Sequence, residues 1–209
     1  MTQYEMDLWN KGVEYIAGVD ECGRGRHTAP VVACAVIFPP YSFVKGVKDS
    51  KKMTPNQREE LLPTIYERAL DVEIGIASVF EIDRLNIREA TFLAMRRAIN
   101  KLKIKPQHIL VDGFEIPNLD IPQTAIIKGD NYSFSIGAAS IVAKVYRDRW
   151  MEMLDLLFPQ YRFCSNKGYA TREHKMAIEK YGPTFLHRKT FRPVLEILNG
   201  GNAQNSFNR

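Results

Sequence analysis

Apolar residues are grouped along this chain in short runs that predict strands early and helices later. Residues 15–19 (YIAGV) are short and apolar, and residues 30–38 (PVVACAVIF) are richer in β-branched side chains. They predict two strands, with the Gly-rich segment between them at a sheet end. Thr54-Pro55 places a capping threonine before a proline, which announces a helix to about residue 70. Residues 72–79 (VEIGIASV) alternate like a half-buried strand, and residues 81–102 carry Ile82, Leu85, Ala90, Leu93, Ala94 and Ile99 at helical spacing, predicting one amphipathic crossover helix. Residues 108–111 (HILV) and 123–127 (QTAII) predict two further strands, ending at Asp112 and near Gly129-Asp130. Residues 135–157 have a helical pattern, 159–168 read as a loop, 171–181 as a short helix, and the segment from residue 199 as a polar, mobile tail.

Interleaved strands and helices predict an α/β fold with a mixed five-stranded sheet flanked by helices, its first strands joined as antiparallel hairpins and its later ones through helices. No internal repeat or linker interrupts 1–209, which reads as one domain in which about 158–198 form a helical C-terminal portion and 199–209 the tail. A net charge of +5 suits a polyanionic partner and many ordinary soluble proteins equally. Cys22, Cys34 and Cys164 form no CxxC pair, which argues against a zinc knuckle or a disulfide framework and fits a reducing cytoplasm. No uncharged apolar run approaches the ~20 residues of a membrane span. A soluble, cytoplasmic protein is expected, and the absence of an oligomerisation stripe suggests a monomer.

Acids recur at strand ends: Asp20 and Glu21 after the first strand, Asp112 after the fourth, Asp130 after the fifth. If those ends lie side by side, the carboxylates repel and raise one another's pKa unless a cation neutralises them. Hard oxygen ligands select Mg²⁺ or Mn²⁺, and two such ions are the usual equipment of phosphoryl chemistry. Each acid alone has a plainer reading, as a turn residue or, for Asp130, a helix cap. Adjacent strand residues point to opposite faces, so Asp20 and Glu21 are expected to share an ion only if the chain leaves regular strand geometry, which Gly23 and Gly25 allow. Gly23-Arg24-Gly25 offers unobstructed backbone N–H groups beside a guanidinium, suited to a sugar-phosphate backbone and a 2′-hydroxyl.

In order, GVDECGRG (18–25), DSKK (49–52), EIDRLNI (81–87), VDG (111–113), KGD (128–130), SIGAASIVAKVYRDR (135–149), FPQY (158–161), KGYATREH (167–174), YGP (181–183) and HR (187–188) closely resemble the ribonuclease HII family. So many ordered blocks leave chance agreement negligible. The resemblance implies a ribonuclease H-like fold and a metal-dependent endonuclease. It would cut the RNA strand of RNA–DNA hybrids and incise duplex DNA on the 5′ side of embedded ribonucleotides, leaving 3′-hydroxyl and 5′-phosphate ends. It also implies that Asp20, Glu21, Asp112 and Asp130 are the catalytic, metal-binding set, with Mg²⁺ or Mn²⁺ as cofactor and two ions during catalysis. Gly23, Arg24 and Gly25 would contact the ribonucleotide's 2′-hydroxyl, Tyr169 would stack at the RNA–DNA junction, and Lys51 would bind substrate.

Other residues keep open readings. Lys51 and Lys52 suit phosphate contact or a solvated turn, Asp148 a supporting role near the site or an ordinary helix ion pair. His27, His108, His174 and His187 are outside the predicted catalytic set, because a metal mechanism takes its nucleophile from water. The chain departs from the family at Arg26-His27-Thr28-Ala29, where Pro-Leu-Ala-Gly is common. Loss of that proline and glycine could reshape the loop, with Arg26 either touching phosphate or lying solvated. Cys22 replaces a usual alanine, a small change. A junction resolvase or strand-transfer nuclease would also use clustered acids, and the GRG and KGY blocks disfavour it. A hybrid-binding descendant without activity would have lost an acid, and all four are present.

Overall fold

The computed structural model describes residues 2–47 and 50–205, with backbone alone at Lys51, Pro193 and 201–205. Five strands form one sheet: β1 (Ile16–Cys22), β2 (Val31–Ile37), β3 (Asp71–Ala77), β4 (His108–Asp112) and β5 (Gln123–Ile126), in the order β3-β2-β1-β4-β5. β1 runs antiparallel to β2, from Ala17 opposite Ile37 to Cys22 opposite Val32. It runs parallel to β4, from Ile16 beside His108 to Val19 beside Val111, and β4 runs parallel to β5. The sheet is therefore mixed, as its sequence predicts. All seven residues of β2 are buried, which is why it reads as a continuous apolar run rather than an alternating one.

The helices are α1 (Gln3–Trp9), α2 (Pro55–Arg68), α3 (Val79–Leu85), α4 (Ile87–Lys101), α5 (Phe134–Leu157), α6 (Phe163–Asn166), α7 (Arg172–Tyr181) and α8 (Arg192–Asn205). Thr54 caps α2 reciprocally with Gln57, and Pro55 opens it, as expected. The single helix expected over 81–102 is two. Asn86 adopts φ 73° and turns its side chain to accept the N–H groups of Arg88 and Glu89, ending α3 and capping α4 in one residue. The Ser78–Glu81 capping box starts α3 earlier than its apolar spacing suggests. The expected loop over 159–168 contains a 3₁₀ turn, Pro159–Tyr161, and α6, bounded by Arg162 and Lys167 in left-handed conformation. The expected tail from residue 199 begins instead as helix. Val194, Ile197 and Leu198 pack into a core, and once that turn is nucleated each further residue costs little to add.

The chain divides into two compact units. The first comprises Met1–Cys22, Val32–Ile76 and Thr91–Arg147; the second comprises Gly23–Val31, Ala77–Ala90 and Asp148–Arg209. The C-terminal part is thus joined by two earlier segments, one of which holds the GRG loop. In the first unit, Val32, Cys34 and Val36 of β2 pack with Ala138, Ile141 and Val142 of α5, and Leu110 and Ile126 pack with Trp9 and Ile136. In the second, Ala29, Met151, Tyr161, Phe163, Ile178 and Leu186 form a separate core.

A side-chain carbon at Gly18 would overlap the backbone of Ser135, so β1 lies against the first turn of α5 with no room for a methyl group. Gly18→Ala should therefore lower stability by about 1–3 kcal/mol, seen as a Tm reduced by roughly 2–10 °C. An unchanged Tm in calorimetry would contradict this packing.

Candidate active site

Pairing between β1 and β4 stops at Val19 and Val111, while β1 stays in register with β2 through Cys22 and β4 stays paired with β5 through Asp112. The carboxyl ends of two neighbouring parallel strands thus part, leaving a crevice of the kind in which α/β sheets bind ligands. Asp20, Glu21 and Asp112 stand there, each offering a carboxylate oxygen, and these oxygens all lie within 4.8 Å of one another. Asp20 and Glu21 share the cluster although β1 remains regular, contrary to the expectation that the strand must break. Part of the reason is the Asp20 side chain, which turns along the strand end to accept the N–H of Glu21 at 2.7 Å.

Asp20 is 3% exposed, whereas Glu21 and Asp112 are half-buried. Burial, then the charges of Glu21 and Asp112, push the Asp20 carboxyl well above the usual carboxylate range, against the pull of hydrogen bonds from Ser140 and from the Glu21 backbone. Ser140, on α5, also shares a hydrogen bond with Ser50 at 2.8 Å. This Ser50–Ser140 pair, buried behind the acids, escaped sequence reasoning. Asp112 accepts the N–H of Gly129 at 2.6 Å. A side-chain carbon at Gly129 would sit 2.7 Å from the end of the Ile136 side chain, which would have to shift to admit it.

Asp130 is 1% exposed and stands outside the three-acid group among the described residues. It accepts from the Asn131 amide at 3.0 Å, and Asn131 in turn accepts from the Lys52 ammonium at 2.7 Å. Asp49 and the side chain of Lys51 lie outside the described residues. His108 is bonded to Thr124. Cys22 packs against the core, and Asp148 is buried on α5.

The second unit holds the GRG loop and Tyr169. Arg188, wholly buried, directs its N–H donors at loop carbonyls: Nε and Nη2 at Ala29, Nη1 at Arg24 and Arg26, Nη2 at Gly23, all between 2.7 and 3.1 Å. One fork thereby draws four carbonyls of the loop inward. Its sequence signal was the His187-Arg188 pair, which by itself carried no role. Ala29 adopts φ 66°, the conformation that glycine takes cheaply, so the loop keeps a glycine-like backbone without the glycine. Arg26 lies against an aromatic ring: its guanidinium carbon is 3.2 Å from the centroid of the Tyr169 ring, which is 51% exposed.

A mixed five-stranded sheet with acids gathered where β1 and β4 part defines the ribonuclease H-like class. Consistently, the structure superposes on the crystal structure of ribonuclease H2 from Pyrococcus horikoshii with a TM-score of 0.79 at 28% identity, covering 90% of this chain and 99% of that one. It matches the fold of Bst-RNase HIII, crystallised with Mn²⁺, with a TM-score of 0.74 at 20% identity over 91% of this chain and 71% of that one. The family described as Ribonuclease HII matches residues 17–194, and a Ribonuclease HII of Desulfitobacterium hafniense is 50% identical over 194 residues, 93% of this chain and 75% of that protein. The chain belongs to the ribonuclease HII family, endonucleases that degrade RNA in RNA–DNA hybrids. Among the described residues no helix is long and apolar enough to cross a membrane.

Two predictions follow from these contacts. The folded chain holds on Asp20 a proton that the unfolded chain has released, so in the ion-free protein this group costs stability progressively as pH rises from about 4, the unfolded value, toward its raised folded value. Asp20→Asn should therefore gain on wild type in chelator-containing denaturant titrations as pH climbs above about 4, and parallel curves would contradict it. Arg188→Lys keeps the charge and loses the fork, leaving buried carbonyls without donors. It should cost at least ~2 kcal/mol in the same titration at neutral pH, and a loss within error would show the fork to be dispensable.

Proposed function

We propose that this ribonuclease H cuts the RNA strand of hybrids and also incises duplex DNA on the 5′ side of an embedded ribonucleotide. The observation that carries the metal-dependent chemistry is the convergence of Asp20, Glu21 and Asp112 to within 4.8 Å around a buried carboxyl that burial and two neighbouring charges disfavour as an anion. A cation reverses that penalty, and all-oxygen donors suit Mg²⁺ or Mn²⁺. The Mn²⁺ held by a protein of the same fold supports the choice. Asp20, Glu21 and Asp112 would hold the ions, and Asp130 would complete the acidic set from the Gly129–Asn131 turn. When bound, two ions supply positive charge that acidifies the attacking water and stabilises the departing oxygen.

The chain's own residues orient the reaction. Ser140 and the Glu21 N–H hold Asp20, and the Gly129 N–H holds Asp112, so both carboxylates meet a ligand already aimed. Water adds to the phosphorus, the bond from phosphorus to the preceding 3′ oxygen breaks, and that oxygen takes up a proton. The products are a 3′-hydroxyl and a 5′-phosphate. Gly23, Arg24 and Gly25 would read the 2′-hydroxyl, Tyr169 would stack on the following deoxyribose, and Lys51 would pair with phosphate. The protein would act as a cytoplasmic monomer.

Labelled duplexes carrying one ribonucleotide, and all-DNA controls, test this with Mg²⁺ or Mn²⁺. Wild type should incise only the first, 5′ to the ribonucleotide, and Asp112→Asn should reduce the rate by at least roughly 10²-fold, more than loss of an indirect metal contact costs. Cleavage of long hybrids with no incision at a single ribonucleotide would restrict the activity to hybrids.

A further inference from the structure

The second unit buries two histidines that the cleavage chemistry does not use. His174 is 1% exposed and His187 fully buried, with their Nε2 atoms 3.1 Å apart. Their protonation follows from their partners. The backbone N–H of Thr184 donates to Nδ1 of His187 at 2.9 Å, so that nitrogen carries no proton and the neutral ring holds its hydrogen on Nε2. This hydrogen is donated to Nε2 of His174, which leaves the hydrogen of His174 on Nδ1. That N–H donates to the carbonyl oxygen of Tyr169 at 2.7 Å. The relay therefore runs one way, from Thr184 through His187 and His174 to Tyr169.

A proton added to Nδ1 of His187 would face the Thr184 N–H, and one added to Nε2 of His174 would face the His187 N–H. The surroundings agree. The pair lies among the rings of Tyr161 and Phe163, and His174 is close enough to His27 for their charges to interact. Burial, then the charge of His174, lowers His187 to about 3, and burial lowers His174 against its bond to the Tyr169 carbonyl.

The relay ends on a residue that combines a fixed main chain with a half-exposed aromatic ring. The Tyr169 N–H donates to Asn166 at 2.9 Å, its carbonyl is held by His174, and its ring lies under Arg26. We propose that His174 and His187 are positioning residues that set Tyr169, and with it the aromatic face offered to the sugar at an RNA–DNA junction. This rests on the reading of Tyr169 as a substrate contact.

Steady-state cleavage of a ribonucleotide-containing duplex by His174→Phe, His174→Asn, Tyr169→Ala and the double variant His174→Phe/Tyr169→Ala tests it. Tyr169→Ala should raise KM about tenfold, the scale of one lost aromatic stack, and His174→Phe should raise it severalfold with kcat little changed. His174→Asn, whose amide N–H can stand in for Nδ1–H, should recover most of that loss. In the Tyr169→Ala background, His174→Phe should add nothing, because its route to the substrate is gone. Equal KM factors in both backgrounds would overturn the positioning role while leaving the Tyr169 reading intact. No effect of Tyr169→Ala alone would overturn that reading, and the proposal with it. Should His174→Phe fail to fold, ¹⁵N imidazole spectra of the wild type still decide. The proposal requires neutral rings at about pH 6, protonated on Nδ1 of His174 and Nε2 of His187, and the opposite tautomers or an imidazolium would overturn it.

Discussion

Three carboxylates held close together, one of them almost wholly buried, are the constraint on which the first unit is organised. Left in low dielectric they repel, and the Asp20 carboxyl is the group on which that penalty falls. The fold sets fixed dipoles against these carboxylates. Asp20 takes a hydrogen bond from Ser140 and one from its neighbour's backbone, and Asp112 takes one from Gly129. These bonds orient the carboxylates, whose oxygens stay within 4.8 Å of one another. The same demand reaches into the packing: Gly18 lets the first turn of α5, the helix that carries Ser140, lie directly against β1.

The second unit solves a different problem with a single cation. The GRG loop lies outside the five strands, and beside its backbone bonds to Gly168 and Leu186 a single side chain, Arg188, collects four of its carbonyls. That grip accounts for the tolerance of Ala29 at φ 66°. A left-handed alanine costs ~1–2 kcal/mol relative to ordinary backbone, and two hydrogen bonds from a buried guanidinium to its carbonyl offset a cost of that size. At the first position of the departure from the family's Pro-Leu-Ala-Gly pattern, an arginine covers one face of the Tyr169 ring.

What could be read from the sequence were features with a local cause. Strand runs, the Thr54–Pro55 helix start and the order of the acids each follow from adjacent residues. So Asp20, Glu21 and Asp112 were found, and their gathering was conditional only on which strand ends are neighbours. What escaped depends on distant partners. Ser50 and Ser140 are 90 positions apart and meet only when α5 crosses behind β1. Arg188 reaches residues more than 150 positions earlier. Asn86 escaped for the opposite reason. Its break is local, but the apolar spacing of the flanking helices continues across it, and periodicity outweighed a residue that readily turns left-handed.

Burial is used twice in this chain, with opposite results. At Asp20 it opposes the charged form of an acid that stands among other carboxylates, where a cation would relieve the penalty. At His187 it opposes the charged form of a base set among aromatic rings beside a second histidine, so the penalty becomes a fixed neutral tautomer. The difference lies in what each group faces. Asp20 stands at a crevice between parting strands with two further carboxylates beside it, whereas the histidines have their ring nitrogens committed to backbone groups and to each other. Low dielectric favours recruitment of a partner in the first case and directional hydrogen bonding in the second.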